Sequence, residues 1–223
     1  RKLVLSEKKA LLVSKFAKEK VKVALSADGA DELFYGYERY ETLFRLDKMR
    51  RNKSFILNLL KIIPNNIIYF LIKLVKPWYS PKGLFDKIIK MKNMMKSDSV
   101  GEMYDSLISF FNYNDLKKLL GHSKKNKIIE SNNINQLTTI TDSLNYLPGD
   151  ILTKVDRSSM FYSLEAREPF LDQRIITFSA SLPFSQKFNG KEKKLILKKL
   201  LEGYLPKDII YRKKKGFSVP MDK

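Results

Sequence analysis

Cysteine is absent from the 223 residues, which excludes a disulfide scaffold, a thiolate metal site and a cysteine nucleophile. Histidine occurs once, as His122. A lone histidine has no partner set for metal or acid–base work, and its polar neighbourhood predicts an exposed loop residue. Long apolar runs are missing too. The most apolar stretch, Phe55 to Val75, is interrupted by Lys61, Pro64, Asn65, Asn66 and Lys73. That leaves two pieces too short to span a bilayer, so two helices broken at Pro64 are expected and no membrane span is. Acidic residues are scarce: 24 Asp and Glu face 43 Lys and Arg, a net charge of +19. Such an excess alone suggests an acidic partner. The lysines are spread over most predicted helices, however, without the aromatic interleaving of a single-strand binder, so no nucleic-acid partner is expected. The chain opens on Arg1 and has no signal-peptide pattern, which reads as a cytoplasmic fragment of something longer.

What is present is an apolar content of 43%, enough to bury the core of one domain or one and a half. Residues 1–19 place Leu5, Leu12, Val13, Phe16 and Ala17 at helical spacing, an amphipathic helix that feeds a short buried strand of Val21, Val23 and Leu25. The strand ends at Ser26. A turn of small and acidic residues follows, and a helix is predicted from Asp31 to Arg50, with Leu33, Phe34, Tyr37, Tyr40 and Phe44 along its boundary. Gly29 permits a close backbone approach or a positive φ. A strand, a glycine-bearing turn and a helix start together make an anion site. Asp28, Asp31 and Glu32 would repel a bare phosphate, so a divalent cation between them is one reading. The other is an acidic helix N-terminus with Asp28 or Asp31 as cap.

Further along, Trp78–Gly83 reads as a turn region and residues 121–136 as a mobile polar loop. Pro148-Gly149-Asp150 reads as a helix start with Asp150 as N-cap. Asp150, Lys154 and Arg157 share one face of the helix that follows. That face is either a set of exposed ion pairs or a surface on which Lys154 and Arg157 meet phosphate or a substrate carboxylate. Glu165 and Arg167 read as a structural pair, and Glu168, before Pro169, marks a turn. Asp172 is predicted to cap Gln173–Leu182, and a helix Glu192–Leu201 precedes a basic tail.

Three stretches carry a family resemblance. LSADGADELFYGYERY (Leu25–Tyr40) resembles the L-S-G-[DE]-G-x-D-E-x-F-x-G-Y segment of the glutamine-dependent asparagine synthetases. LPGDILTKVDRSSMFYSLEAREPFLDQR (Leu147–Arg174) and RKKKGFSVP (Arg212–Pro220) resemble two further blocks of that family, in the family's order. Similarity covers roughly Val13–Tyr40 and Leu144–Pro220, and the segment before about Leu12 departs from the family. The resemblance implies an α/β, doubly wound fold of the adenine-nucleotide alpha-hydrolase type. This chain would be its mostly α-helical C-terminal portion, with one or two short strands. Residues 1–50 would hold the nucleotide and Mg²⁺ motif, 51–140 a helical insert, and 141–223 the helical half of the site with its basic tail.

The resemblance also implies ATP and Mg²⁺, with aspartate and glutamine-derived ammonia as the other partners. ATP would activate the aspartate side chain as an acyl-adenylate that ammonia then attacks. Ser26, Ala27 and Gly29 would line the nucleotide, Asp31 would hold Mg²⁺–pyrophosphate, and Asp28 would assist proton removal from ammonia. Lys214, two residues after Arg212 and two before Gly216, would clamp the phosphoryl charge. A solvated basic tail of Lys213, Lys214 and Lys215 is the equal alternative. Ala27 stands where the family has glycine. The nine glycines are isolated from one another, so no S-G-G-x-D-S pyrophosphate loop is present. With no glutaminase cysteine either, the chain alone is expected to be inactive, its missing partners being the glutaminase domain and the pyrophosphate-loop region. Two other readings stand beside this one: a relative forming an amide on another carboxylate, as in surface-polysaccharide or β-lactam chemistry, and a non-enzymatic basic helical module.

Overall fold

The computed structural model describes residues 5–51, 62–75, 88–92, 94, 97, 99–109, 113–121, 129, 131 and 133–212. Lys213, Lys214, Lys215 and His122 lie outside the described residues, as do Trp78–Gly83 and most of the predicted 121–136 loop. The chain divides into two units, Arg1–Gly36 with Thr139–Lys223, and Tyr37–Thr138.

The first unit is mostly helical around two short parallel strands. Helix α1 (Leu5–Lys18) leads to strand β1 (Val23–Leu25), which pairs in parallel with β2 (Glu165–Arg167) in the register Val23–Glu165, Ala24–Ala166, Leu25–Arg167. Among the described residues β1 has no second neighbour. Its apolar side chains are accordingly not buried as their pattern predicts: Val21 and Val23 are exposed and Leu25 is 74% exposed. The amphipathic reading of α1 fails similarly, because Leu12, Val13 and Phe16 are exposed while Ser14 is buried. Helix α1 packs on α3 (Thr153–Phe161), whose own buried residues are Ser158 and Ser159. Small side chains let the two backbones come close, so packing selects Ser14 over its larger apolar neighbours. The Lys18 ammonium donates to the Ser163 carbonyl at 2.6 Å, tying the end of α1 to the turn after α3.

The predicted helix Asp31–Arg50 is two helices. Helix α2 covers only Ala30–Leu33, and a second helix, Glu38–Arg51, belongs to the other unit. Between them Tyr35 adopts φ 60. Its fully buried ring packs against Phe184 at 4.8 Å and Phe188 at 5.2 Å. Burying an aromatic ring outweighs the left-handed backbone that breaks the helix.

Asp150 is not an N-cap. Leu147–Leu152 form a π-helical turn that runs into α3, so residue 150 lies within continuous helical backbone. Asp172 does cap, accepting from the Arg174 N–H at 2.8 Å at the start of α4 (Gln173–Ser181). The predicted helix Glu192–Leu201 shortens to α5 (Leu195–Leu201), entered through Lys194 at φ 54.

In the second unit, Asn65–Val75 starts at Pro64, whose carbonyl accepts from Ile67 and Ile68. The helix break at Pro64 is thus observed from its C-terminal side. The helix Glu38–Arg51 buries Tyr40, Leu43, Leu46 and Asp47, and the Asp47 carboxylate receives Arg50 at 3.2 Å and Arg51 at 2.6 Å. Phe44 is exposed. Residues 134–136, assigned to a loop from sequence, open the helix Ile134–Leu144. No helix among the described residues is long and apolar enough to cross a membrane.

Candidate active site at the strand ends

Of the sequence-predicted residues, Ser26, Ala27, Asp28, Gly29 and Asp31 follow the end of β1, beside the paired end of β2. The ladder extends one residue beyond β1: the Ser26 N–H donates to the Arg167 carbonyl at 2.8 Å. The Ser26 hydroxyl donates to the Asp28 carboxylate, and the Asp28 N–H approaches Ser26 Oγ at 3.4 Å. This closed Ser26–Asp28 turn orients the carboxylate from a fixed strand end. Ala27 is exposed and is not among the residues at positive φ, so its β-carbon meets no backbone strain. Gly29 sits at φ 88, where a β-carbon would lie 2.4 Å from Leu171 Cδ2. The positive φ calls for glycine there, while the clash meets the flexible end of the half-buried Leu171 side chain.

Helix α2 is only four residues long, so the expected dipole of a long helix is not available to hold an anion. Tertiary contacts fix α2 instead: Ser179 on α4 donates to the Leu33 carbonyl at 2.7 Å, and Phe34 meets Phe170 edge-on at 5.9 Å. Asp31, on the first turn of α2, pairs with the Lys194 ammonium at 2.8 Å. Gly36 makes room for that pair, since a β-carbon there would lie 1.8 Å from Asp31 Oδ1 and 2.3 Å from Lys194 Cε.

Two residues that sequence reasoning missed complete the arrangement. Lys194 is one of five lysines in nine residues and carries no local signal that singles it out. Glu168, read from sequence only as a turn, follows β2 directly and is half-buried. Burial, the Asp28 carboxylate and then Asp156 hold its carboxyl above the ordinary glutamate range. A carboxylate has thus been placed against Asp28 at the same strand ends.

Lys154 pairs with Asp150 at 2.6 Å across one helical turn. Arg157, on the same helix, is exposed. Glu165 and Arg167 pair at 2.7 Å as expected, though on a strand and with both side chains more than half exposed.

Among the described residues no group of three His, Cys, Asp or Glu side chains is arranged to hold a metal ion. The donor set nevertheless fits a cation that arrives with its own ligands. Mg²⁺ usually retains waters, takes phosphate oxygens and asks the protein for one or two carboxylates, and Asp31 could supply one.

Residues 6–223 match the family described as asparagine synthase, and the chain belongs to that family. Asparagine synthetase (glutamine-hydrolyzing) 1 of Bacillus subtilis is 30% identical over 220 residues, an alignment covering 94% of this chain and 32% of that protein. A putative asparagine synthetase (glutamine-hydrolyzing) of Mycobacterium tuberculosis is 29% identical over 220 residues, covering 94% of this chain and 31% of its own length. A third relative, asparagine synthetase (glutamine-hydrolyzing) 3 of Bacillus subtilis, reaches 44% identity over 68 residues, 30% of this chain and 11% of that protein. The chain therefore spans about a third of the length of the first two relatives. No solved structure matches.

Proposed function

We propose that this chain is the C-terminal portion of the synthetase domain of an ATP-dependent, amide-forming ligase working in the cytoplasm, with aspartate as the acceptor. The observation that carries the reading is the placement of Asp28 and Asp31, one turn apart, at the carboxyl ends of two parallel strands. Open α/β sheets bind their ligands there, and β1 and β2 would be two strands of a doubly wound sheet of the adenine-nucleotide alpha-hydrolase type. The domain organisation follows the sequence reading: a nucleotide motif in residues 1–50, a helical insert in 51–140, and the second half of the site in 141–223.

In the first step the aspartate side-chain carboxylate attacks the α-phosphorus of ATP, an acyl–phosphate bond forms and pyrophosphate leaves. Ser26, Ala27 and Gly29 line the nucleotide from the turn after β1. Mg²⁺, where bound, neutralises charge on the departing pyrophosphate, and Asp31 contributes a carboxylate to it. Arg157 and Lys154 lie on α3, where they would approach phosphate or the substrate carboxylate. Lys214 would close over the phosphates from the basic tail. In the second step ammonia, supplied from glutamine by a separate glutaminase domain, attacks the acyl carbon. A C–N bond forms, the bond to AMP breaks, and Asp28 takes the proton that nitrogen sheds. The hydrogen bond from the Ser26 hydroxyl holds the Asp28 carboxylate in place for that transfer.

Separate assays of the two steps test the assignment in the full-length protein. Asp31→Asn should impair ATP–pyrophosphate exchange itself. Asp28→Asn should spare exchange and lose about 10²–10⁴ in amide formation, the usual cost of removing a positioned acid–base group. Equal losses in both assays for both variants would refute the division of roles. Exchange with another carboxylic acid but none with aspartate would reassign the acceptor.

A further inference from the structure

Lys194 differs from the lysines around it in its backbone, its support and its reach. It holds φ 54 and ψ 38, a left-handed conformation uncommon for a residue with a side chain. The preceding segment is anchored on both sides: Phe188 bridges to Lys193, and its buried ring packs against Tyr35 at 5.2 Å. The Lys194 carbonyl also accepts the Lys198 N–H at 3.0 Å as α5 begins. The outcome of this support is one ammonium placed 2.8 Å from Asp31 Oδ1. Gly36 gives independent testimony to the same pair. It is not among the glycines at positive φ, so its backbone does not demand glycine. The space its missing side chain leaves is filled by the Asp31 carboxylate and the Lys194 stem.

We propose that Lys194 is a positioning residue that makes the Asp31 site accept a divalent cation carried on a polyphosphate and reject the bare cation. The inference rests on the reading above that Asp31 meets the cation–pyrophosphate complex. A bare divalent cation approaching Asp31 finds the carboxylate already compensated and an ammonium that repels it. A cation–pyrophosphate complex carries net negative charge, and the same ammonium attracts it. Lysine has three N–H donors, and its ion pair with Asp31 leaves donors for phosphate oxygens. The two ligands should therefore respond to Lys194 with opposite signs.

Calorimetric titration of the full-length protein with Mn²⁺ alone, and separately with magnesium pyrophosphate, reads both terms. Lys194→Asn removes the ammonium while keeping a residue that tolerates the left-handed backbone. Mn²⁺ should then bind several-fold more tightly and magnesium pyrophosphate about tenfold more weakly, the scale of losing one charge-assisted hydrogen bond to phosphate. Lys194→Gly, with no backbone strain to express, should reproduce both shifts, and Lys194→Arg should show neither. Shifts of the same sign for both ligands in Lys194→Asn and Lys194→Gly, or none for either, would overturn the proposal, because general damage to the site cannot strengthen one ligand. Asp31→Asn separates this failure from failure of the underlying reading. If Asp31→Asn weakens both ligands while Lys194→Asn produces no opposed shifts, only the role of Lys194 is refuted. If Asp31→Asn changes neither, Asp31 does not meet the cation, and both readings fall.

Discussion

Replacing Gly29 by alanine tests how tightly the turn between Asp28 and α2 is determined. Two costs add. The residue sits at φ 88, where an L side chain meets a penalty of about 1–2 kcal/mol. The new β-carbon would also lie 2.4 Å from Leu171 Cδ2 and 3.1 Å from Leu171 Cγ. Leu171 is only half-buried and the nearest atom is the end of its flexible side chain, so its shift costs about 1 kcal/mol, the low end of overpacking. Gly29→Ala is therefore expected to destabilise the first unit by about 2–3 kcal/mol, moving its urea midpoint down by about 1 M. Urea titration followed by far-UV circular dichroism measures the loss. A double-mutant cycle with Leu171→Ala divides it: removing the leucine should recover the packing share and leave the backbone share, giving a coupling of about 1 kcal/mol. Gly29→Asn, better suited to a left-handed backbone, should lose less than alanine if the backbone share is real. A Gly29→Ala protein within about 0.5 kcal/mol of the parent, the usual range for an uninvolved surface position, would refute the geometry of the turn.

Other outcomes follow from charges near the same strand ends. Glu168 has its folded-state pKa raised by burial and by Asp28 and Asp156. Its contribution to stability is therefore fully present below the ordinary glutamate pKa and is lost as pH rises through the raised value. Glu168→Gln should raise the melting temperature at neutral pH and leave it unchanged in acid below the glutamate range; an equal effect at both would contradict the assignment. Lys154→Met should cost under about 1 kcal/mol, as one helical ion pair is worth about 0.3–0.5 kcal/mol. Arg157→Met, removing an exposed cation, should reduce pyrophosphate exchange more than Lys154→Met does, and the reverse order would assign phosphate contact to Lys154. In the full-length protein Lys214→Ala should slow pyrophosphate release far more than Lys213→Ala or Lys215→Ala; equal effects would mark the tail as merely electrostatic.

Local signals were readable where local chemistry decides the conformation. Gly29 at its turn, Asp172 at its cap, the helix starting after Pro64 and a strand ending at Ser26 all follow from single-residue preferences. Longer-range choices were not readable. Between Asp31 and Arg50 only Gly36 hints at a break, too weak a signal to interrupt the predicted helix; the break comes because Tyr35 leaves the helix to reach Phe184 and Phe188, far along the chain. Glu165-Ala166-Arg167 has little strand propensity and is extended because β1 supplies its hydrogen-bond partners. The alternation of Val21, Val23 and Leu25 predicts a buried strand face, whereas all three side chains are exposed and the described strand has one neighbour. For the site, Asp28 and Asp31 stood out by residue type and spacing. Their companions Glu168 and Lys194 did not, since a glutamate before proline and a lysine among lysines acquire meaning only from what tertiary structure sets beside them.

The pairing of β1 with β2 also sets the order in which the protein can become competent. Residues 23–25 meet residues 165–167, so the parallel ladder closes only when the whole span containing residues 37–138 has been looped out. Contacts that distant in sequence form late, after local turns and helices have been sampled many times. The Ser26–Asp28 turn can thus take shape early as a local structure, while Glu168 and Lys194 join it only on long-range closure. The entropy of that closure grows with the logarithm of the span, about 0.6 kcal/mol for each doubling. Lengthening or trimming the intervening segment should therefore leave the ladder nearly as easy to form, whereas a single residue inserted between Leu25 and Gly29 would disturb the geometry at once. The chain tolerates change in length where it is long and resists it where it is short.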